Sequence, residues 1–196
     1  MDPGLYYPEE MGRPEVARIR AHYSTLDTRA LHDASRDRFT QTGGSFYHGD
    51  TWAPTFYRLL SWAGLNSDDV FYDLGCGCGE PTLTASLFTP QAQGLDLLPG
   101  LVRIAEASAR NLELAASFAV GDMLGADLSS ATLIYVAATT FDRWHRQQLV
   151  RRLKPLTQAR FLVQGPPLEG LPVVAVAKEW VFWGEPTPCR FALQTC

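Results

Sequence analysis

Apolar residues follow two rhythms along this chain. Short β-branched or aromatic runs stand at residues 70–73 (VFYD), 93–97 (QGLDL), 115–120, 131–137 (ATLIYVA) and 160–164. Most are closed by Gly, Pro or Asp, as strands are. Between them lie stretches with apolar residues three or four apart, the helical spacing. These are 14–31, 54–63, 81–88, 99–111 and 144–153, with a further short helical piece at 33–39. The run 131–137 is strongly apolar, which suits a strand covered on both faces. Strands alternating with helices predict a doubly wound α/β sheet. Residues 172–183 and 188–195 flank the turn Gly184-Glu185-Pro186 and predict an antiparallel hairpin. The expectation is a Rossmann-like sheet of seven strands, mostly parallel, closed by that hairpin and preceded by N-terminal helices. The expected division is a helical lead-in over 1–45 and one α/β domain over 46–196.

Composition narrows the functional classes. The chain has 196 residues, 46% hydrophobic and 19% charged, which is one globular domain with a real core. Its net charge of −4 speaks against a nucleic-acid surface. No apolar run approaches the roughly 18 residues of a membrane span. The first residues, MDPGLYYPEE, lack a basic stretch followed by an apolar one, so a cytoplasmic protein is expected. The four cysteines, Cys76, Cys78, Cys189 and Cys196, are expected to be reduced thiols. The C-x-C pair has no zinc spacing, and no metal is expected.

The chemistry concentrates where the first strand ends. Asp73 is followed by Gly75, Gly77 and Gly79, then Glu80 and Pro81. Glycine admits positive φ and close approach of a ligand to the backbone, and proline suits a first helical turn. Strand, glycine loop and helix form the opening half of a nucleotide-type unit, whose ligand lies beyond the strand's carboxyl end. The spacing is not the dinucleotide G-x-G-x-x-G, and no Walker lysine follows. Asp96 ends the second strand, where an acid either accepts both ribose hydroxyls or caps the helix that starts at Pro99. Asp122 follows the third strand as Gly121-Asp122-Met123. It either accepts an adenine amine, with Met123 on the ring face, or serves as a turn aspartate.

The D-x-G-x-G-x-G pattern resembles motif I of the class I methyltransferases, which bind S-adenosyl-L-methionine (SAM). Three longer segments resemble one branch, the non-SET lysine methyltransferases of the disruptor-of-telomeric-silencing type and their bacterial relatives. They are HGDTWAPTFYRLLSWAGLNSDDVFYDLGCGCGE, GDMLGADLSSATLIYVAATTF and EWVFWGEPTPCRFALQT. The resemblance implies that Asp50 and Thr51 close over the methionine end of SAM. It implies that Asp73, Gly75 and Glu80 line that end, that Asp96 holds the ribose, and that Asp122 with Met123 holds the adenine. Gly77 completes the loop. The family's Asn-Asn after the fourth strand is replaced here by Ala137-Ala138, and its Glu by Asp50.

The function so implied is methyl transfer from SAM to a nucleophile, a protein lysine amine first. A small-molecule acceptor and SAM binding without turnover are the alternatives. Thr139 and Trp183 are the residues expected to touch the acceptor. Trp180 and Phe182 share a strand face and either pack in the core or line a channel. His48 lies in a turn between aromatics and is a candidate neighbour of the site.

Overall fold

The computed structural model describes residues 9, 12–36, 51–182 and 186–196. Asp50, His48 and Trp183 therefore lie outside the described residues. Six helices are α1 (Pro14–Ser24), α2 (Thr28–Arg36), α3 (Ala53–Ala63), α4 (Glu80–Ala85), α5 (Pro99–Leu112) and α6 (Arg143–Leu153). The strands are β1 (Phe71–Leu74), β2 (Ala92–Asp96), β3 (Ala116–Val120), β4 (Leu133–Ala137), β5 (Arg160–Gln164), β6 (Val173–Phe182) and β7 (Pro186–Gln194).

The seven strands form one sheet in the order β3-β2-β1-β4-β5-β7-β6. β1 to β5 run parallel, and β7 runs antiparallel to both β5 and β6. The expected mixed sheet with its terminal hairpin is what forms. The chain steps outward from β1 to β3, then returns to the other side of β1 as β4. That reversal opens a crevice at the carboxyl ends of β1 and β4, where ligands of such sheets bind.

Two apolar layers hold the sheet. On one face Phe56, Leu59 and Leu60 of α3 meet Phe71, Leu133, Leu162 and Val181, all at most 1% exposed. On the other face Leu149 and Leu153 of α6 cover Ile134, Val136, Phe161 and Val163. The N-terminal α1 packs Val16, Ile19 and Tyr23 against Leu83, Leu98 and Leu101 of the α4–α5 region. Removing any of these fully buried Leu or Phe side chains costs about 2–5 kcal/mol.

The helix expected over 14–31 is divided. The Thr25 hydroxyl bonds back to the His22 carbonyl at 2.7 Å, and the Asp27 carboxylate accepts the Ala30 N–H at 3.0 Å. These local bonds end α1 and start α2, so the second helix begins five residues earlier than the expected Asp33. The helix expected over 81–88 is likewise short, ending at Ala85.

Candidate functional site

β1 ends at Leu74, and the chain enters the left-handed region three times, with φ of 86° at Gly75, 54° at Gly77 and 92° at Gly79. Only glycine takes these angles without strain. The three differ in what they face. A Cβ on Gly79 would stand 2.8 Å from Ala105 Cβ and from the Phe118 ring, so this glycine seats α4 against α5 and β3. A Cβ on Gly77 would meet nothing within 4 Å, and one on Gly75 only the Met123 methyl at 3.9 Å. Two of the three glycines thus turn an unobstructed backbone towards the crevice.

The acids at the strand ends surround that backbone. Asp96 accepts the Gly77 N–H at 2.9 Å with Oδ2 and the Leu98 N–H at 2.8 Å with Oδ1. It braces the loop and caps α5 together. Asp73 is 1% exposed and accepts the Thr82 hydroxyl at 2.7 Å. Burial pushes its carboxyl up to about 7. The Thr82 bond pulls the other way, and the nearby charge of Asp96 adds to the rise. Met123 is half-buried over Gly75. Asp122 is exposed, and its Oδ1 accepts the Leu124 N–H at 2.9 Å, the geometry of a turn aspartate.

Two residues expected at the ligand are engaged within the protein. Both oxygens of Glu80 accept from Arg20 at 2.9 Å, and Oε1 also accepts the Ala53 N–H. The Arg20 guanidinium lies 4.3 Å over the Trp52 ring. Glu80 therefore ties α1 and the start of α3 to the glycine loop. Thr51 is 3% exposed, and its hydroxyl stands 3.1 Å from both the Tyr135 hydroxyl and Gln164 Oε1. The Tyr135 hydroxyl donates to the same Oε1 at 2.5 Å. Burial pushes the Tyr135 phenol far up, which keeps it a neutral donor. This Thr51–Tyr135–Gln164 cluster was not foreseen. Its one trace in the sequence is a polar group in each of two apolar runs, Tyr135 inside LIYVA and Gln164 at the end of RFLVQ.

Beyond β4, Thr139 is half-buried against Gly165, whose added Cβ would lie 3.1 Å away. Arg146 of α6 fixes this rim by donating to the carbonyls of Ala138 at 2.9 Å, Pro166 at 2.6 Å and Pro167 at 2.8 Å. Trp180 is exposed, and its carbonyl accepts the Thr55 hydroxyl. It does not pack in the core. Two surface clefts of about 320 and 410 Å³ lie elsewhere, one between α3 and β6 and one at the α5–β3 end of the sheet. Neither includes the strand-end acids or the glycine loop, which is where polar groups converge.

No family model matches the chain. It is 29% identical over 106 residues to a protein-lysine N-methyltransferase of Saccharolobus islandicus. That match takes in 52% of this chain and 66% of the relative, so the chain spans just under two thirds of that protein's length. Among solved structures it superposes on an RNA methyltransferase from Salinibacter ruber in complex with S-adenosyl-L-homocysteine. The TM-score is 0.63 with 22% identity, over 74% of this chain and 92% of that one. It also superposes on magnesium protoporphyrin IX methyltransferase from Synechocystis with bound SAM, with a TM-score of 0.59 and 12% identity. There 92% of this chain and 96% of that one are covered. Strand order, strand-end acids and these likenesses agree that the chain is built on the Rossmann-like fold of the class I SAM-dependent methyltransferases.

Proposed function

We propose that this protein is a SAM-dependent methyltransferase. The observation that carries the reading is the unobstructed backbone of Gly75 and Gly77. It is bracketed by Asp73, Asp96 and Met123 at the carboxyl ends of three consecutive strands. These residues fit the group. Asp96 would take the ribose hydroxyls, Met123 would pack on the adenine, and Asp73 would face the cationic methionine end. Asp122 would reach the adenine amine only by leaving its turn. Asp50 and Thr51 would close the methionine end, with Thr51 acting through its hydroxyl cluster.

When bound, SAM supplies an electrophilic methyl carbon. The acceptor's lone pair bonds to that carbon as the carbon–sulfur bond breaks, and the electron pair stays on sulfur in S-adenosylhomocysteine. The chain's own contribution is positioning. Ala137, Thr139 and Gln164 stand at or just beyond the carboxyl ends of β4 and β5, and Arg146 ties the Ala138 and Pro166 carbonyls together there. An amine acceptor must arrive neutral, and a dry opening lowers its pKa.

The likeness to the Saccharolobus enzyme and to the non-SET lysine methyltransferases supports a protein lysine as acceptor. A small-molecule acceptor is the second reading, favoured by Ala137-Ala138 standing where the lysine methyltransferases carry Asn-Asn. Calorimetry tests the cofactor. S-adenosylhomocysteine should bind with a dissociation constant of about 1–100 μM, roughly −8 to −5.5 kcal/mol, with NADH and ATP silent. Binding of NADH without S-adenosylhomocysteine would refute the reading. Thr139→Val and Trp183→Ala should lower methyl transfer far more than S-adenosylhomocysteine binding, because groups that touch only the acceptor act on the transition state.

A further inference from the structure

α6 covers the middle of its sheet face and stops short of the hairpin. Among the described residues, the apolar layer beneath it takes in side chains of β1, β2, β4 and β5 and none of β6 or β7. The register says which hairpin residues share that face. Ala192 lies opposite Val163, which packs under α6, so Pro188 and Arg190 point the same way. Across β6 their partners are Val176 for Ala192, Lys178 for Arg190 and Trp180 for Pro188. Val173, Val174, Val176 and Trp180 are between 42% and 61% exposed. Four of the seven exposed large apolar side chains among the described residues thus stand on this one strand, which makes a patch. Lys178 and Arg190 cross the patch as directly opposed like charges, an arrangement that destabilises a ladder. Both are exposed. Among the described residues, Arg20, Arg58, His145 and Arg160 make ion pairs with acids, and neither of these two cations does. The neighbouring acid, Glu179, points to the other face and pairs with Arg58 at 3.3 Å.

We infer that this face of the hairpin holds an acidic, partly apolar segment of a protein substrate, next to its target lysine. The inference rests on the methyltransferase reading with a lysine acceptor and names the surroundings of that lysine. The patch adjoins the carboxyl ends of the strands. β7 runs antiparallel to both neighbours, so β6 runs with β5 and brings Trp180 towards that edge. Gly165, the residue after β5, donates its N–H to the Arg190 carbonyl at 2.8 Å. A Cβ on the same glycine would lie 3.1 Å from Thr139, the residue expected at the acceptor. With strands about 4.8 Å apart, Arg190 and Lys178 lie about 10 and 14 Å across the sheet from the end of β4. An extended segment covers about 3.3 Å per residue, so the bound acids stand about three to five residues from the methylated lysine. Charge chooses the occupant. A second copy meeting the patch through a twofold axis would gather four cations in one interface. A nucleic acid needs positive charge along a track, and this patch offers two cations in a chain of net charge −4. Carboxylates relieve the opposed pair, and apolar side chains between them cover the valines and Trp180.

The test gives the full chain tritiated SAM and synthetic peptides, and measures S-adenosylhomocysteine affinity in parallel. Each peptide has one lysine. One carries glutamates on both sides of it at the spacing derived above, with leucines between, and a second has glutamines in place of the glutamates. At low salt and subsaturating peptide, wild type should methylate the acidic peptide about tenfold faster, the gain that two exposed ion pairs allow. The preference should fade in high salt. Lys178→Gln combined with Arg190→Gln should erase it, with S-adenosylhomocysteine affinity and methylation of the glutamine peptide as in wild type. Lys178→Glu combined with Arg190→Glu should turn the preference towards a third peptide with arginines in those places, an outcome that loss of folding cannot produce. Equal rates on the acidic and glutamine peptides, or a preference that both double variants keep, would overturn the inference and leave the methyltransferase reading standing. So would label entering a single-stranded RNA ahead of the peptides, or a dimer that Val176→Asp disperses in sedimentation. No label on any peptide from protein that binds S-adenosylhomocysteine would overturn the inference and keep the cofactor. Failure to bind S-adenosylhomocysteine would overturn the reading beneath it.

Discussion

Asp73 is expected to couple stability to pH and, at the proposed cofactor site, binding as well; Asp73→Asn isolates that coupling. The carboxyl is buried and bonded to Thr82, and its pKa is about 7 against the ordinary 3.8. Between those values the folded protein holds a proton that the unfolded chain has lost. The unfolded state then binds fewer protons, so stability falls as pH rises. The contribution is whole below pH 3.8 and gone above about 7. At about 1.36 kcal/mol per pH unit, the loss across the window is roughly 4 kcal/mol. Asparagine keeps the shape and a hydrogen bond to Thr82 but cannot ionise. Urea unfolding of both proteins at intervals from pH 4 to pH 8 checks this. Relative to the variant, wild type should lose about 4 kcal/mol over the range, most of it before pH 7. A cationic ligand beside Asp73 favours the carboxylate, so SAM should bind more tightly towards pH 7 and release a proton. Calorimetry in two buffers of different ionisation enthalpy reads that proton. Parallel stability curves, with no proton released, would show that Asp73 is charged throughout and would refute the reasoning.

Four further outcomes are expected. Gly77→Ala should keep the fold, at a cost of about 1 kcal/mol for its left-handed backbone, and abolish S-adenosylhomocysteine binding. Gly79→Ala should unfold much of the protein, because its methyl would lie 2.8 Å from Ala105 and Phe118; thermal melting beside calorimetry separates the two. Asp96→Ala should weaken S-adenosylhomocysteine binding ten- to thousandfold, since each charge-assisted bond to the ribose contributes about 1.5–3 kcal/mol; unchanged affinity would leave Asp96 as a brace and cap only. Arg20→Met leaves Glu80 buried without its cation and should cost about 3 kcal/mol, or roughly 6–12 °C in Tm by scanning calorimetry.

Local features were legible from residues alone. β5 falls on the expected residues 160–164, and β2, β3 and β4 lie within two residues of expectation. Apolar alternation and bounding turn residues act over a few positions, so a strand declares itself without reference to its neighbours. The glycine loop was legible for the same reason, since positive φ at Gly75, Gly77 and Gly79 is a demand made by single residues. The boundary between α1 and α2 was lost to side-chain bonds from Thr25 and Asp27, which compete with helix continuation and leave the apolar spacing intact.

What the sequence determined by itself is the set of elements, the sheet class they imply and the acids that stand at strand ends. Each of these depends on neighbours in the chain. Which face each glycine presents, and what each polar side chain is used for, was decided only by the tertiary structure. Glu80 meets Arg20 across 60 residues, and Thr51 meets Tyr135 and Gln164 across 84 and 113. No local pattern encodes such contacts. They follow from the strand order, which brings the ends of β4 and β5 together and folds α1 and the start of α3 over the loop.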